Sequence, residues 1–317
     1  MPLAMSLGAL TIAFGSAVSI PAFADKNNPL ALDTKQSFDA VVRFESETRR
    51  HRAYEIRFPS ALRSPFQANN TVWGHLLVPR KHDGKTPPCV LVLPVMAAPN
   101  IWIEAWFIRA LLRHGYAVLW LEMPYQFHRR PSTLIPSGAV FLARTPRRLA
   151  FNFRQSALDA RRAISWLKSS GHVNPDRIAI FGISLGAIVG ASVLSVDDGL
   201  CGGIFLLGGA DMPELVMKSS MTGDFVRKAG FKEEGLRREW RDLDPLGYKE
   251  KNRGKRVTLL NVRSDTIIPK KNALKLQEAF PDSKQIWLPF GHYSAMLHLL
   301  WAPIYVAREF RDILTPS

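Results

Sequence analysis

An α/β architecture, a doubly wound and mostly parallel sheet with lid-like insertions, is the fold class this sequence predicts. Three observations carry it. Apolar runs of strand length alternate with longer segments of helical spacing. Several runs, such as Cys89-Val90-Leu91-Val92-Leu93, are apolar at every position, as strands covered by helices on both faces must be. Finally, Gly182-Ile183-Ser184-Leu185-Gly186 stands where one such run gives way to an apolar helix.

The elements follow in order. Residues 1–24 hold no charged side chain and end in Ala22-Phe23-Ala24, which fits a signal peptide cleaved before Asp25. No Lys or Arg precedes the apolar run, so an uncleaved N-terminal membrane anchor is the alternative to export. Elsewhere no apolar run reaches the ~20 residues of a membrane span. "RAYEIRFPS" (52–60) and "TVWGHLLVP" (71–79) read as strands separated by turn signals. "CVLVLPVM" (89–96) is a strand, "WIEAWFIRALLRHG" (102–115) a helix stopped by glycine, and "YAVLWLEMP" (116–124) another strand. "FRQSALDARRAISWLKSSG" (153–171) is an amphipathic helix. Asn174-Pro175-Asp176 then turns the chain into "RIAIFGISLGAIVG" (177–190). "LCGGIFLLGGA" (200–210), "RVTLLNVRSD" (256–265) and "QIWLPFGH" (285–292) are further strands. "NALKLQEAF" (272–280) and the segment after Gly291-His292 are helical.

Two connections, about 124–152 and about 211–255, exceed simple βα loops. Long insertions at strand C-termini build binding sites in such sheets. The 317 residues, 47% of them hydrophobic, suit one domain over 25–317. The net charge of +15 favours anionic surfaces or substrates. The basic residues lie in small dispersed groups, with no zinc-finger spacing, RNA-binding aromatic signature or basic tail, which argues against nucleic acid. The two cysteines, Cys89 and Cys201, open strands and read as small buried hydrophobes. No His/Cys cluster has metal-ligand spacing, so neither metal nor other cofactor is expected. The number of subunits is not legible.

A hydroxyl between two glycines at a strand-to-helix junction suits a nucleophile on a strained turn, where the two backbones nearly collide. A serine needs a base to take its proton, and the base needs an orienting acid. Both belong on the rim that holds Ser184. Asp265 follows the strand "VTLLNV", and His292 follows "QIWLPF". Asp211, after the strand beyond the Gly-x-Ser-x-Gly turn, is the rival acid. Asp265 could also be a turn residue bonding its own loop. His298, on the apolar segment that follows His292, reads as core.

With "RIAIFGISLGA", "RSDTIIP" and "GHYS" in the chain order Ser184, Asp265, His292, the sequence resembles α/β-hydrolases, closest to the dienelactone-hydrolase and prolyl-oligopeptidase-like branch. The likeness covers roughly residues 70–312. It implies a serine hydrolase acting on an ester or related acyl bond, with Ser184 as nucleophile, His292 as base and then acid, and Asp265 as the orienting carboxylate. The oxyanion would be held by the Leu185 N–H and a second N–H from the loop after "CVLVL". Met96 is the candidate and Val95 the alternative. Relatives often carry His-Gly in this loop, and Val resists a positive φ.

The first insertion would set substrate choice. Its aromatics, Tyr125, Phe127, Phe141, Phe151 and Phe153, would receive an apolar group. Arg129 and Arg130 would clamp an anionic group or, equally, belong to a solvated basic lid with the aromatics packed beneath it, and His128 would face substrate or solvent. The expected partner is therefore a small-molecule ester, anionic if the arginines face it. A peptidase or an acyltransferase could use the same three residues. A binding module on the same fold is the rival from another class.

Overall fold

The computed structural model describes Leu30, residues 38–80 and residues 85–315. The leader and its cleavage position lie outside them. Nine strands form one sheet: β1 (Val41–Glu47), β2 (His51–Pro59), β3 (Thr71–Pro79), β4 (Cys89–Leu93), β5 (Ala117–Leu121), β6 (Ile178–Ile183), β7 (Gly202–Leu206), β8 (Arg256–Val262) and β9 (Lys284–Leu288). Their spatial order is β1-β2-β3-β5-β4-β6-β7-β8-β9. The β1–β2, β2–β3 and β3–β5 pairs are antiparallel. From β5 to β9 every pair is parallel.

The continuous apolar runs became the central strands because helices cover both faces. Val90 and Val92 of β4 point into one core layer, under α1 (Trp102–Arg113) and α8 (Ala302–Leu314). Cys89, Leu91 and Leu93 point into the other, under α2 (Pro146–Ser169), α3 (Leu185–Val196) and α7 (Lys270–Ala279). Burial of the Cys89 side chain pushes its thiol up to about 12, so it behaves as a hydrophobe. Cys201 is only partly buried.

From β4 the chain crosses to β5 on one side, and from β6 it crosses to β7 on the other. Neighbouring strands therefore depart in opposite directions, leaving a crevice between the C-terminal ends of β4 and β6. Ser184 sits there.

Three elements differ from the sequence expectation. β1 was not expected, because all seven of its residues are exposed and carry no one-sided apolar pattern. Helix α2 starts at Pro146 rather than at 153. Thr145 accepts a hydrogen bond from the Arg148 N–H at 3.2 Å, and Pro146 fits the first turn. The arginines that follow run against the helix dipole and hid this start. The second insertion holds three short helices, α4 (Met212–Lys218), α5 (Gly223–Lys228) and α6 (Glu233–Trp240), each too short for a clear period. Among the described residues, no helix is long and apolar enough to cross a membrane.

Candidate active site

Ser184 ends β6 and caps α3 with φ 54° and ψ −113°. Such a conformation costs a non-glycine residue about 1–3 kcal/mol. Its N–H donates to the Leu206 carbonyl of β7 at 2.8 Å, which ties the strained residue to the sheet. The flanking glycines are required by contact. A Cβ on Gly182 would collide with the Gly186 carbonyl, and one on Gly186 would collide with the Leu93 carbonyl of β4. Strand, turn and helix can meet this closely only without those side chains.

Asp265 lies in the loop after β8. One carboxylate oxygen accepts from the Ile267 and Ile268 N–H groups at 2.9 and 2.8 Å. The other lies 2.8 Å from Nδ1 of His292, which follows β9. The carboxylate is thus fixed by its own turn and presents its free oxygen to the imidazole. The turn reading of Asp265 and its pairing with His292 hold together. His292 and Ser184 line the same cavity, of about 190 Å³.

The rivals are occupied elsewhere. Asp211 has φ 58° at the start of α4 and lies 3.3 Å from Arg237. His298 is not core. It lines the cavity too, but its Nδ1 accepts from the Trp301 indole N–H at 3.1 Å and its Nε2 faces the Pro289 carbonyl at 3.4 Å. With Nδ1 accepting, Nε2 is the ring nitrogen left to donate toward the Pro289 carbonyl.

The loop after β4 separates the two candidate residues. Its positive φ falls on Ala97 (φ 61°), so neither Val95 nor Met96 needs one. The Val95 N–H donates to Glu104 Oε1 at 2.9 Å, which removes Val95 as a donor to any ligand. The Val95 carbonyl accepts from the Gln126 side-chain amide at 2.9 Å. Both partners are buried. They hold the two peptide units that flank the Val95 Cα, and Met96, the next residue, lines the cavity with Ser184. Burial pushes the Glu104 carboxyl above the usual range, with the Val95 N–H acting against that rise. Neither Glu104 nor Gln126 was singled out from sequence. In an amphipathic helix, Glu104 reads as a solvent-face residue.

The arginine clamp is corrected. Arg129 is fully buried beneath the first insertion. It is 2.7 Å from Asp159 of α2 and donates to the Glu122 and Asn69 carbonyls at 3.0 and 2.8 Å. Arg130 donates to the Phe127 carbonyl at 3.0 Å. Tyr125 is also fully buried, bonded to Asn152 and Arg148 at 3.1 and 2.9 Å. All three residues hold the insertion together and lie away from the cavity. His128 stacks on Trp73 and bonds Glu122 at 2.6 Å, which holds the His128 ring above its ordinary value against burial. Burial alone would raise Glu122, but its hydrogen bonds from His128 and His75 hold it low.

A second, apolar cavity of about 60 Å³ meets the first at Ser184, Met96, Met221 and Ile267. The insertions do build this one. Phe141 and Phe153 come from the first insertion and its helix, Met212 and Leu215 from the second. Among the described residues, neither cavity is lined by a lysine or arginine.

No family model matches the sequence, and no curated protein does. The structure matches many solved ones. An acetyl xylan esterase from Paenibacillus sp. R4 superposes with a TM-score of 0.65 at 15% identity, over 89% of this chain and 96% of that one. Acetyl xylan esterase 1 from Thermoanaerobacterium sp. JW/SL YS485 gives 0.66 at 14%, over 86% and 92%. A puromycin-hydrolyzing peptidase from Mycobacterium tuberculosis gives 0.61 at 14%, over 88% of this chain but 46% of its own. The chain has the α/β-hydrolase fold that its sequence resemblance implied.

Proposed function

We propose that this chain is a serine hydrolase that cleaves an ester of an uncharged, apolar acyl group through an acyl-serine intermediate. One observation carries the reading. A serine held in a strained turn faces a cavity also lined by a histidine whose far nitrogen is 2.8 Å from a buried carboxylate. Strain of this kind persists only where the surroundings enforce it, and it clusters at active sites.

In the proposed mechanism, His292 Nε2 takes the Ser184 proton as Oγ attacks the acyl carbon. Asp265 keeps the proton on Nδ1, so that Nε2 is free to act as the base, and stabilises the imidazolium. The Leu185 and Met96 N–H groups donate to the oxyanion, with the N-terminus of α3 adding its dipole. His292 then protonates the departing alcohol, and the acyl-enzyme forms. Water enters, gives its proton to His292 and attacks the acyl carbon. Ser184 leaves with that proton and the acid is released. No step calls on a metal or cofactor.

The apolar walls set the substrate class. A carboxylate placed in the smaller cavity would lose its hydration and find no cation there. The likeness to proteins described as esterases supports this reading. A series of chromogenic esters, neutral and carboxylated at matched size, tests it with wild type and Ser184→Ala. Neutral esters should turn over faster, and Ser184→Ala should be inactive on all. Equal rates on both classes would defeat the substrate assignment, and an active Ser184→Ala the mechanism. Export belongs to the same reading, and N-terminal sequencing of secreted material should begin at Asp25.

A further inference from the structure

The mouth of the larger cavity is rimmed by hydrocarbon. Tyr293 and Met296 line the cavity and are also solvent-exposed. The rim continues outward from them. Leu297 and Leu300 stand 60% and 81% exposed on the 3-10 turn between His292 and α8. Trp301 and Ile304 follow them at the start of α8. The first turns of α1 add Trp102 and Trp106, and α1 packs against both this turn and α8. Apolar surface of this kind, contiguous and opening into a cavity, marks an interaction site.

The charge around the rim bears on what could cover it. Both helices run away from the rim with arginines in the stripes that begin with these aromatics. On α1 the exposed stripe is Trp102, Trp106, Arg109 and Arg113; on α8 it is Ile304 and Arg308, followed by Arg311 paired with Asp312 at 3.4 Å. At 1.5 Å per residue, Arg109 lies about 10 Å along the axis from Trp102. Headgroups add roughly 5–8 Å to each side of the hydrocarbon. Indoles seated at the hydrocarbon edge would therefore hold the guanidinium groups near the phosphates. Carboxylates are kept out of the rim. Residues 285–308 contain none, and residues 94–113 contain only Glu104, which is buried and accepts from the Val95 N–H. Asp312, beside Arg311, lies farther along α8.

We propose that this rim docks the protein on an anionic lipid surface, with the cavity mouth turned toward the acyl layer. The proposal stands whether or not Ser184 is a nucleophile. The whole chain's charge of +15 draws it to such a surface, and the rim orients it.

The test is flotation of the full-length chain with vesicles of phosphatidylcholine alone, or of equal parts phosphatidylcholine and phosphatidylglycerol. Wild type should float with the mixed vesicles and be released by high salt. The pairs Leu297→Glu/Leu300→Glu and Arg109→Glu/Arg113→Glu should each cut bound protein by about tenfold. Both variants should keep the wild-type melting temperature and the wild-type rate on a soluble ester. Three results would overturn the proposal. One is no flotation. Another is flotation that neither pair alters, which would assign binding to the N-terminal apolar segment. The third is a wild-type dimer that Leu297→Glu/Leu300→Glu dissociates, without vesicle binding, which would assign the rim to a second copy of the chain.

Discussion

Asp159 and Asp265 are two aspartates in nearly the same local circumstances. Each side chain is 3% exposed. Each gives one oxygen to nearby donors, Ser60 and Ala61 for Asp159 and two backbone N–H groups for Asp265. Each gives the other to a basic side chain, at 2.7 Å for Arg129 and 2.8 Å for His292. The difference lies in the partner. Arg129 gives its two terminal nitrogens to Asp159 and to two fixed carbonyls, and it lines neither cavity. His292 carries an imidazole, which can pass a proton on, and it lines a cavity beside a serine. Paired burial of a carboxylate is therefore no sign of chemistry by itself. Access and a partner that can change protonation are what separate the two sites.

The comparison breaks most sharply under Asp→Asn exchange. Asp265→Asn should leave the fold intact and lower turnover by about 10⁴, by analogy with the serine-protease triad. Asp211→Asn should stay within a few-fold of wild type. Steady-state kinetics on a neutral ester decides, and the reverse ranking would return the acid role to Asp211.

On the other side of the comparison, Arg129→Met should act on stability. It leaves Asp159 buried without its cation, a loss of about 3–5 kcal/mol. Denaturant unfolding should show it, while the rate per folded molecule and the preference between neutral and carboxylated esters stay unchanged. A shifted preference at unchanged stability would restore the clamp.

Glu104 lies between these cases, since it touches no cavity yet holds the loop that lines one. Glu104→Ala should lower kcat by about 10–100-fold with little change in KM, as a displaced oxyanion donor would. Glu104→Gln keeps an acceptor for the Val95 N–H and should stay close to wild type. A change in KM alone would mean that the loop shapes binding only.

The smallest effect is a pH slope. Glu104 is raised in the fold, so its contribution is fully present below the unfolded value of about 4.3 and is lost as pH rises through the folded one. Stability curves should show this decline in wild type and not in Glu104→Gln. Parallel curves would mean that Glu104 carries no such shift.

The central strands, the Ser184 turn and the positions of Asp265 and His292 on one rim were legible because their signals are local. A glycine pair, an apolar run and a polar residue just past a strand each reveal themselves within ten residues. Arg129 was misread because its partner lies thirty residues away on α2, and an arginine in a loop looks solvated until that helix covers it. Glu104 was missed although its partner, the Val95 N–H, lies only nine residues back, because helical spacing does not show that the loop before α1 folds over that face. His298 looked like core because its neighbours are apolar. The 3-10 turn over Ser294–Leu300 breaks the α-helical phase and turns Leu297 and Leu300 outward. Strand β1 mixes Val41, Val42 and Phe44 with charged residues and buries no face, so its run shows no clear core-facing alternation.

The central claim is that Ser184 is an activated nucleophile, and covalent labelling tests it most directly. A fluorophosphonate reacts with a serine only when a base takes its proton and donors stabilise the charge that develops. Peptide mass spectrometry of the labelled chain should place the adduct on Ser184. His292→Ala should nearly abolish labelling, while His298→Ala should leave most of it. A folded, monodisperse wild-type sample that takes no label, or takes it on another serine, would contradict the account.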